Sequence, residues 1–511
     1  MFKRIVVPLA LLALAFACIA VQYHAGIPMQ ASLFNSDGMY LPILFSDLFA
    51  HGGRIRDWYL TPAPYFFPDY PLYAVAYLVS EGAFNQFLAF GLLQLAAAAA
   101  AIGWIARTCR REHATLVAVL VVTALGWLAV RPVEPFIFAL ASAFHFGAFL
   151  GALLFVALWL QREQHARRWQ LPCMCAITFL CTLSDSLFTV QAVAPFLLTC
   201  ALVRRAPRPF AFRAVLPHAA VLAAALLGIA AYKLVRHPTR PPTMLGLEHF
   251  ARNAHALGQA LTRVVEQVPV LGVVIGVYLA VGLACIVRVV PTRAFGSMPR
   301  PLLLLLVFSL AAMAGNLAAM LLLTNLVVNP RYIIAALTWP LVVTAILLAH
   351  WRAAWFSATS LSVVAMVVGL LGADAWAAVR RTGAEPAGYP SAVACIDQAL
   401  ATADVHNGIA GYWDAKWLQA LSKHRLTVAQ HMGNLSEHPW ITSARYFRPA
   451  YDFAIVSNNG GDEYVLPVAR LIALNGPPAH TATCGGYTVL VYGQDRLRVQ
   501  AVATSTAQQA P

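Results

Sequence analysis

Charge is scarce in this sequence of 511 residues: 11% is Asp, Glu, Lys or Arg, against 60% hydrophobic. So few charges cannot coat a soluble domain, so lipid is the solvent for most of the chain. Acid is scarcer than base, with 21 Asp and Glu to 35 Lys and Arg. No phosphate-cradling glycine loop, no His-Glu-x-x-His and no Cys-x-x-Cys pair occurs, which removes the usual sequence marks of nucleotide, zinc-peptidase and dithiol chemistry. Neither half repeats the other, and the acids gather at one membrane face. Both observations argue against a transporter or flippase, whose charges and broken helices lie at mid-membrane in two related halves.

What is there in quantity is apolar runs of spanning length. They lie near 5–27, 83–106, 114–130, 136–160, 171–184, 187–203, 214–233, 268–288, 301–323, 332–350 and 354–374. The fold class expected is mainly α: a polytopic bundle of about eleven transmembrane helices. The run at 1–27 is read as an uncleaved first helix, not a removed signal.

Positive charge orients the bundle. Lys3 and Arg4 precede the first helix. Arg107, Arg110 and Arg111, then Arg162, Arg167 and Arg168, then Arg204, Arg205, Arg208 and Arg213, then Arg288, Arg293 and Arg300 fill alternate short connections. That side is cytoplasmic, as is the N-terminus. The formal charge of +14 is therefore a topological signal, and no nucleic-acid partner is expected.

The transmembrane domain is expected over 1–374, with outer loops at 28–70 and 234–267. The second of these has an amphipathic stretch, Leu247–Val265, for the outer membrane surface. Residues 375–498 alternate short strands and helices. Strands are expected at Ile409–Trp413, Arg425–Ala429, Asp452–Ser457 and Tyr487–Tyr492, and helices at Trp413–Leu421 and Glu463–Leu474. That predicts a small α/β domain in the extracytoplasmic space, followed by a disordered tail at 499–511. Most of the nine cysteines lie in spans, as small packing residues. Cys395 and Cys484 alone lie in the outer domain, and an oxidising compartment predicts a disulfide between them.

Asp37, in Asn35-Ser36-Asp37-Gly38-Met39-Tyr40, opens a first loop rich in aromatics and proline. It admits two readings. One is the cap of a surface helix over Tyr40–Ala50. The other is a general base at the membrane face. A sugar on a lipid phosphate carries a leaving group that departs as an anion, so one carboxylate suffices to take the acceptor's proton. A glycoside hydrolase needs two.

Asp69, in Phe67-Pro68-Asp69-Tyr70-Pro71, lies where the loop returns to the membrane. It reads either as turn chemistry or as a second site acid that faces Asp37, orients the acceptor or holds a divalent cation. Asp47 and Asp57 read as solvated surface charges. Asp185 is the one charge on the tight turn Ser184-Asp185-Ser186, at about the depth of Asp37. Arg331, in Asn329-Pro330-Arg331-Tyr332, opens a late helix on the outer side, where a guanidinium fork and exposed amides suit a phosphate. Snorkelling to lipid head groups is the other reading. Lys233, Arg236, His237 and Arg240 form a second basic cluster, which anionic lipid explains equally well. His145 is placed about 13 Å below the outer end of the fourth helix, facing a cavity or packed on backbone. Gly411-Tyr412-Trp413-Asp414 and His438-Pro439-Trp440 offer aromatic faces for carbohydrate or for the core of the small domain.

The inside N-terminus, the acid just after the first helix, the large first outer loop and the outer C-terminal domain together resemble the GT-C superfamily of membrane glycosyltransferases, which includes protein mannosyltransferases and the aminoarabinose transferase. Several members carry paired acids where this chain has Ser36-Asp37-Gly38. The resemblance implies a polyprenyl-phosphate sugar donor, an extracytoplasmic acceptor, inversion at the anomeric carbon and a bacterial inner-membrane location. It puts Asp37 at the catalytic position, Arg331 and Tyr332 at the phosphate, and Asp185 near the donor head group. Polysaccharide polymerases and ligases usually place their largest outer loop late in the chain, and here it comes first.

Overall fold

The computed structural model describes residues 3–26, 33–203, 212–235, 246–292, 298–324, 328–351, 353–382, 388–458 and 463–499. Arg204, Arg205, Arg208, Arg236, His237, Arg240, Arg293 and the tail from 500 lie outside the described residues.

In chain order the helices of the bundle and its loops are α1 (Lys3–Ala25), α2 (Tyr40–Ala50), α3 (Asp69–Val79), α4 (Gly82–Cys109), α5 (Ala114–Val130), α6 (Phe146–Gln164), α7 (Gln170–Ser184), α8 (Ala194–Leu202), α9 (Phe212–Tyr232), α10 (Phe250–Gln267), α11 (Pro269–Thr292), α12 (Arg300–Leu322), α13 (Ile334–Trp351) and α14 (Ala353–Thr382). Among the described residues, 8 helices are long and apolar enough to cross a membrane. Every expected span contains a helix, but three of these helices are shorter than spanning length: α5, α7, and α8 with the π-helical turn Thr189–Val193 before it. The helix expected to end at 374 runs on as α14 to Thr382.

Lipid gives helices no hydrophobic reason to associate, so close packing and internal hydrogen bonds hold them. Trp339 packs edge-on between Phe149, at 5.3 Å, and Phe308, at 5.5 Å, joining α13 to α6 and α12. Gln22 of α1 donates to the Leu371 carbonyl of α14 at 2.9 Å.

The run expected as one helix over 136–160 is divided. Phe136–Ala139 is a 3-10 turn, and α6 begins only at Phe146. Non-helical backbone at membrane depth must find partners inside the protein. Gln94 of α4 supplies one, donating to the Ala139 carbonyl at 2.9 Å. His145 therefore stands immediately before α6 with φ of 69°, in the left-handed region, and not along a helix face as expected.

The amphipathic segment folds as α10 and buries Asn253, Leu257, Ala260 and Val264. Asn253 donates to the Leu323 carbonyl at 2.8 Å, tying α10 to the end of α12.

The C-terminal domain has α15 (Ser391–Ala401), β2 (Asn407–Gly411), α16 (Tyr412–Leu421), β3 (Thr427–His431), β4 (Thr442–Ser443), β5 (Ala450–Tyr451), β6 (Phe453–Ser457), α17 (Val468–Asn475), β7 (His480–Cys484), β8 (Tyr487–Val491) and β9 (Leu497–Arg498), while β1 (Trp58–Tyr59) belongs to the first loop. The main sheet has order β3-β2-β6-β8-β7. Its first three strands are parallel, with α16 as the crossover from β2 to β3; the last two are antiparallel. Cys395 of α15 is bonded to Cys484 of β7 across 89 residues, with Cα atoms 5.5 Å apart.

The domain is fastened to the first loop. β1 pairs antiparallel with β4, Trp58 opposite Ser443 and Tyr59 opposite Thr442. Asp47 supports that seam and is no surface charge: it is 2% exposed and accepts from the Trp58 indole N–H at 2.7 Å. The indole replaces the water that the isolated sequence pattern assigned to it.

Candidate active site

The site begins in the tight turn before α2. Gly38 is needed there, since a Cβ would stand 2.1 Å from the Leu33 carbonyl oxygen. The Asn35 side chain accepts from the Gly38 N–H at 2.9 Å, and α2 has no side-chain cap. Asp37 is thus released from the capping role its position suggested. Its Oδ2 lies 3.1 Å from Arg331 Nη1, and its Oδ1 accepts from the Tyr412 hydroxyl.

Arg331 is presented by the 3-10 turn Pro330–Ile333 that leads into α13. The Asn329 side chain caps this turn, accepting from the Arg331 N–H at 3.0 Å. The guanidinium lies over the rings of Phe144, at 5.8 Å, and Tyr332, at 5.3 Å. Its Nε is buried with no partner. A fork with a free donor, already next to an acid, suits a second anion.

Tyr332 carries the site onward, its ring 4.8 Å from that of His145. His145 Nδ1 is 2.6 Å from Asp185 Oδ2, while Nε2 is 3.2 Å from the Tyr65 hydroxyl. An ionised carboxylate only accepts, so Nδ1 carries the hydrogen of that short bond. Asp185 Oδ1 accepts from the Leu187 N–H at 3.0 Å. The first loop is pinned onto this turn, with the Phe67 N–H donating to Ser184 Oγ at 2.8 Å.

Asp69 begins α3 beneath the loop and is 1% exposed. Its carboxylate fills the space where Gly147 lacks a side chain: a Cβ there would stand 2.7 Å from Oδ1. That oxygen is buried and unpartnered. Burial, and next the Asp185 charge, hold the Asp69 carboxyl well above the usual carboxylate range.

The structure brings together Asp37 with Arg331, and Asp185 with His145, and links the two pairs through Tyr332. Asp69 belongs to the second pair's side, close enough to feel Asp185. Among the described residues no group of three or more His, Cys, Asp or Glu is placed to hold a metal ion. The oxygens of Asp37 and Asp185 face cationic or N–H and O–H donors, while Asp69 Oδ1 has no partner.

Sequence reasoning missed two members. Tyr412 was noted only as a carbohydrate-stacking or core aromatic. Lys416, one turn further along α16, is 3% exposed, and its ammonium lies 4.8 Å from the Tyr412 ring centroid. Burial lowers it to about 7, against the pull of Asp37. No local signal marks either residue, because Tyr412 meets Asp37 across the domain seam and Lys416 is buried behind its ring.

No protein-family model matches the sequence, and no curated protein does. Among solved structures, ArnT from Cupriavidus metallidurans in the apo state is 13% identical, with a TM-score of 0.53 over 95% of this chain and 98% of that one. The same protein bound to undecaprenyl phosphate gives a TM-score of 0.54 over 97% and 99%, again at 13% identity. An oligosaccharyltransferase of Archaeoglobus fulgidus overlaps less, with a TM-score of 0.42 over 88% of this chain and 68% of that one. Over nearly its full length, this chain shares the polytopic membrane fold of ArnT.

Proposed function

We propose that the protein is a membrane glycosyltransferase that moves a sugar from a polyprenyl-phosphate donor to an acceptor on the extracytoplasmic side of a bacterial inner membrane. The N-terminus is then cytoplasmic, and the C-terminal domain stands outside with the first loop.

The observation that carries this reading is the pairing of one acid, Asp37, with one arginine that keeps a free donor, Arg331. It occurs in a fold whose solved neighbour ArnT is bound to undecaprenyl phosphate. The donor phosphate engages the spare N–H groups of Arg331 beside Tyr332. Asp37 takes the proton from the acceptor hydroxyl or amine, whose freed electron pair attacks the anomeric carbon. The bond from that carbon to the phosphate oxygen breaks, and its electron pair leaves on the phosphate, facing the guanidinium. Attack opposite the leaving group inverts the centre.

Asp185 holds His145 and Tyr65 in place at the donor head group. Asp69, whose carboxyl burial and the Asp185 charge hold above the usual range, stands on the same side and helps to position the substrate.

The test is Asp37→Asn in the full-length protein, checked for folding and assayed for transfer from undecaprenyl-phosphate sugars in membranes. A general base contributes about 10²- to 10⁴-fold, so kcat falls by that order. Wild-type transfer by this variant would rule out Asp37 as the base.

A further inference from the structure

Tyr412 reaches the bundle for a reason visible in its own domain. It follows Gly411 at the end of β2, where a Cβ would stand 2.3 Å from the Tyr464 carbonyl oxygen. The chain passes through this constriction and turns directly into α16, aiming its first residue at the first loop. Two consecutive loop residues then grip Tyr412. The Ser36 hydroxyl donates to its carbonyl, and its own hydroxyl donates to Asp37.

The ring is fixed on its other sides by His438, at 5.2 Å between centroids, Tyr464, at 5.4 Å, and the Lys416 ammonium. Lys416 sits four residues on, on the same helix face. Its Nζ donates to Gln430 Oε1 at 2.8 Å, and Gln430 is itself held by the carbonyls of His438, at 2.7 Å, and Trp440. An amine buried on a neutral amide is costly where leucine or methionine would pack freely. Buried ionisable groups of this kind cluster at functional sites.

We propose that Tyr412 is a positioning residue for Asp37, braced by Lys416, so that the C-terminal domain completes the active site of the bundle. This rests on the reading of Asp37 as the base. An ionised carboxylate offers about four lone-pair directions. Arg331 occupies one on Oδ2 and Tyr412 one on Oδ1, leaving others for the acceptor's proton. Two contacts on opposite oxygens stop the carboxylate from turning about its bond, so a free lone pair stays aimed at the acceptor. Losing the hydroxyl frees that rotation, and small misplacements of a reacting group cost up to about 10²-fold in rate.

The experiment uses full-length protein in detergent and in membranes, with Tyr412→Phe, Lys416→Met, Asp37→Asn and, as a control, Tyr389→Phe. Tyr389 donates to Asp397 at 2.8 Å in the same domain, so its variant removes a like bond that does not involve Asp37, Arg331 or Tyr412. With undecaprenyl-phosphate sugars as donors, Tyr412→Phe lowers kcat by about 10- to 100-fold and leaves the donor KM within about twofold. Lys416→Met lowers kcat in the same direction, and Tyr389→Phe matches wild type. Wild-type kcat in Tyr412→Phe, while Asp37→Asn is inactive, overturns this inference alone. Retained transfer in Asp37→Asn overturns the base and the inference with it. A double-mutant cycle on the thermal midpoint reads the contact without turnover: Asp37→Ala, which removes the acceptor, and Tyr412→Phe together cost less than their sum. Strict additivity overturns the contact.

Discussion

Arg331 Nη1 stands 3.1 Å from Asp37 Oδ2, so a residue of the first loop and one at the start of a late helix meet in a single ion pair. Both side chains are partly open, at 25% and 19% exposure, so the pair contributes little to stability by itself. Its consequence for the proposed reaction is chemical: there, the cation meets both the leaving phosphate and the attacking hydroxyl. Arg331→Ala should weaken binding of undecaprenyl phosphate by about 1.5–3 kcal/mol, the range for a hydrogen bond to a charged group. Arg331→Lys should recover part of that loss, since an ammonium restores charge without the planar fork. Ligand-dependent shifts in thermal midpoint measure both; equal binding in all three proteins would remove Arg331 from the phosphate site.

Asp69 gives a pH-dependent prediction. Burial and the Asp185 charge raise its carboxyl well above its unfolded value, so the folded protein holds a proton there that the unfolded chain releases. Stability therefore falls as pH rises from the unfolded value through the folded one, and levels off above it. Asp69→Asn keeps the shape and removes the titration. The thermal midpoint of that variant should lie above wild type at alkaline pH and approach it in acid. A constant difference across the range would show that Asp69 does not titrate in this way.

Lys416 works in the opposite sense. Burial lowers its ammonium from 10.5 to about 7, with Asp37 the charged group that opposes the shift and the Tyr412 ring against it. Between those two values the unfolded chain binds a proton that the folded protein lacks, so stability rises with pH across that window. Below about 7 both states are charged and the full cost of burying the cation is present. Lys416→Met should raise the midpoint most at pH 6 and least near pH 10. A gain that does not change with pH would mean the lysine is solvated.

Reduction tests the bond between Cys395 and Cys484. Closing a loop of 89 residues restricts the unfolded chain, and such links typically contribute about 2–4 kcal/mol. Dithiothreitol, or Cys395→Ser with Cys484→Ser, should lower the midpoint and change mobility on a non-reducing gel. Identical mobility with and without reductant would show free thiols, as a cytoplasmic domain would have.

Hydropathy placed the apolar helices well, because spanning length in lipid is a one-dimensional property of the chain. Asp37, Arg331 and Asp185 could be singled out as candidates because charge at a membrane mouth is rare enough to stand out. His145 was misplaced for a related reason: hydropathy registers burial and is blind to hydrogen-bond pattern, so 136–145 read as helix although Gln94 holds it in another form. Asp47 looked solvated until Trp58 folded over it. Tyr412 lay furthest from view. Its partner is 375 residues away, and no spacing rule reaches that far.

The two-residue ladder between β1 and β4 sets a timetable for biogenesis. Trp58 and Tyr59 emerge early in translation, yet their edge partners at Thr442 and Ser443 are made only after the bundle has been inserted. Until then the aromatic loop is left without its cover, and a truncated chain would keep it so. The seam between the first loop and the C-terminal domain is in this way deferred to the end of synthesis.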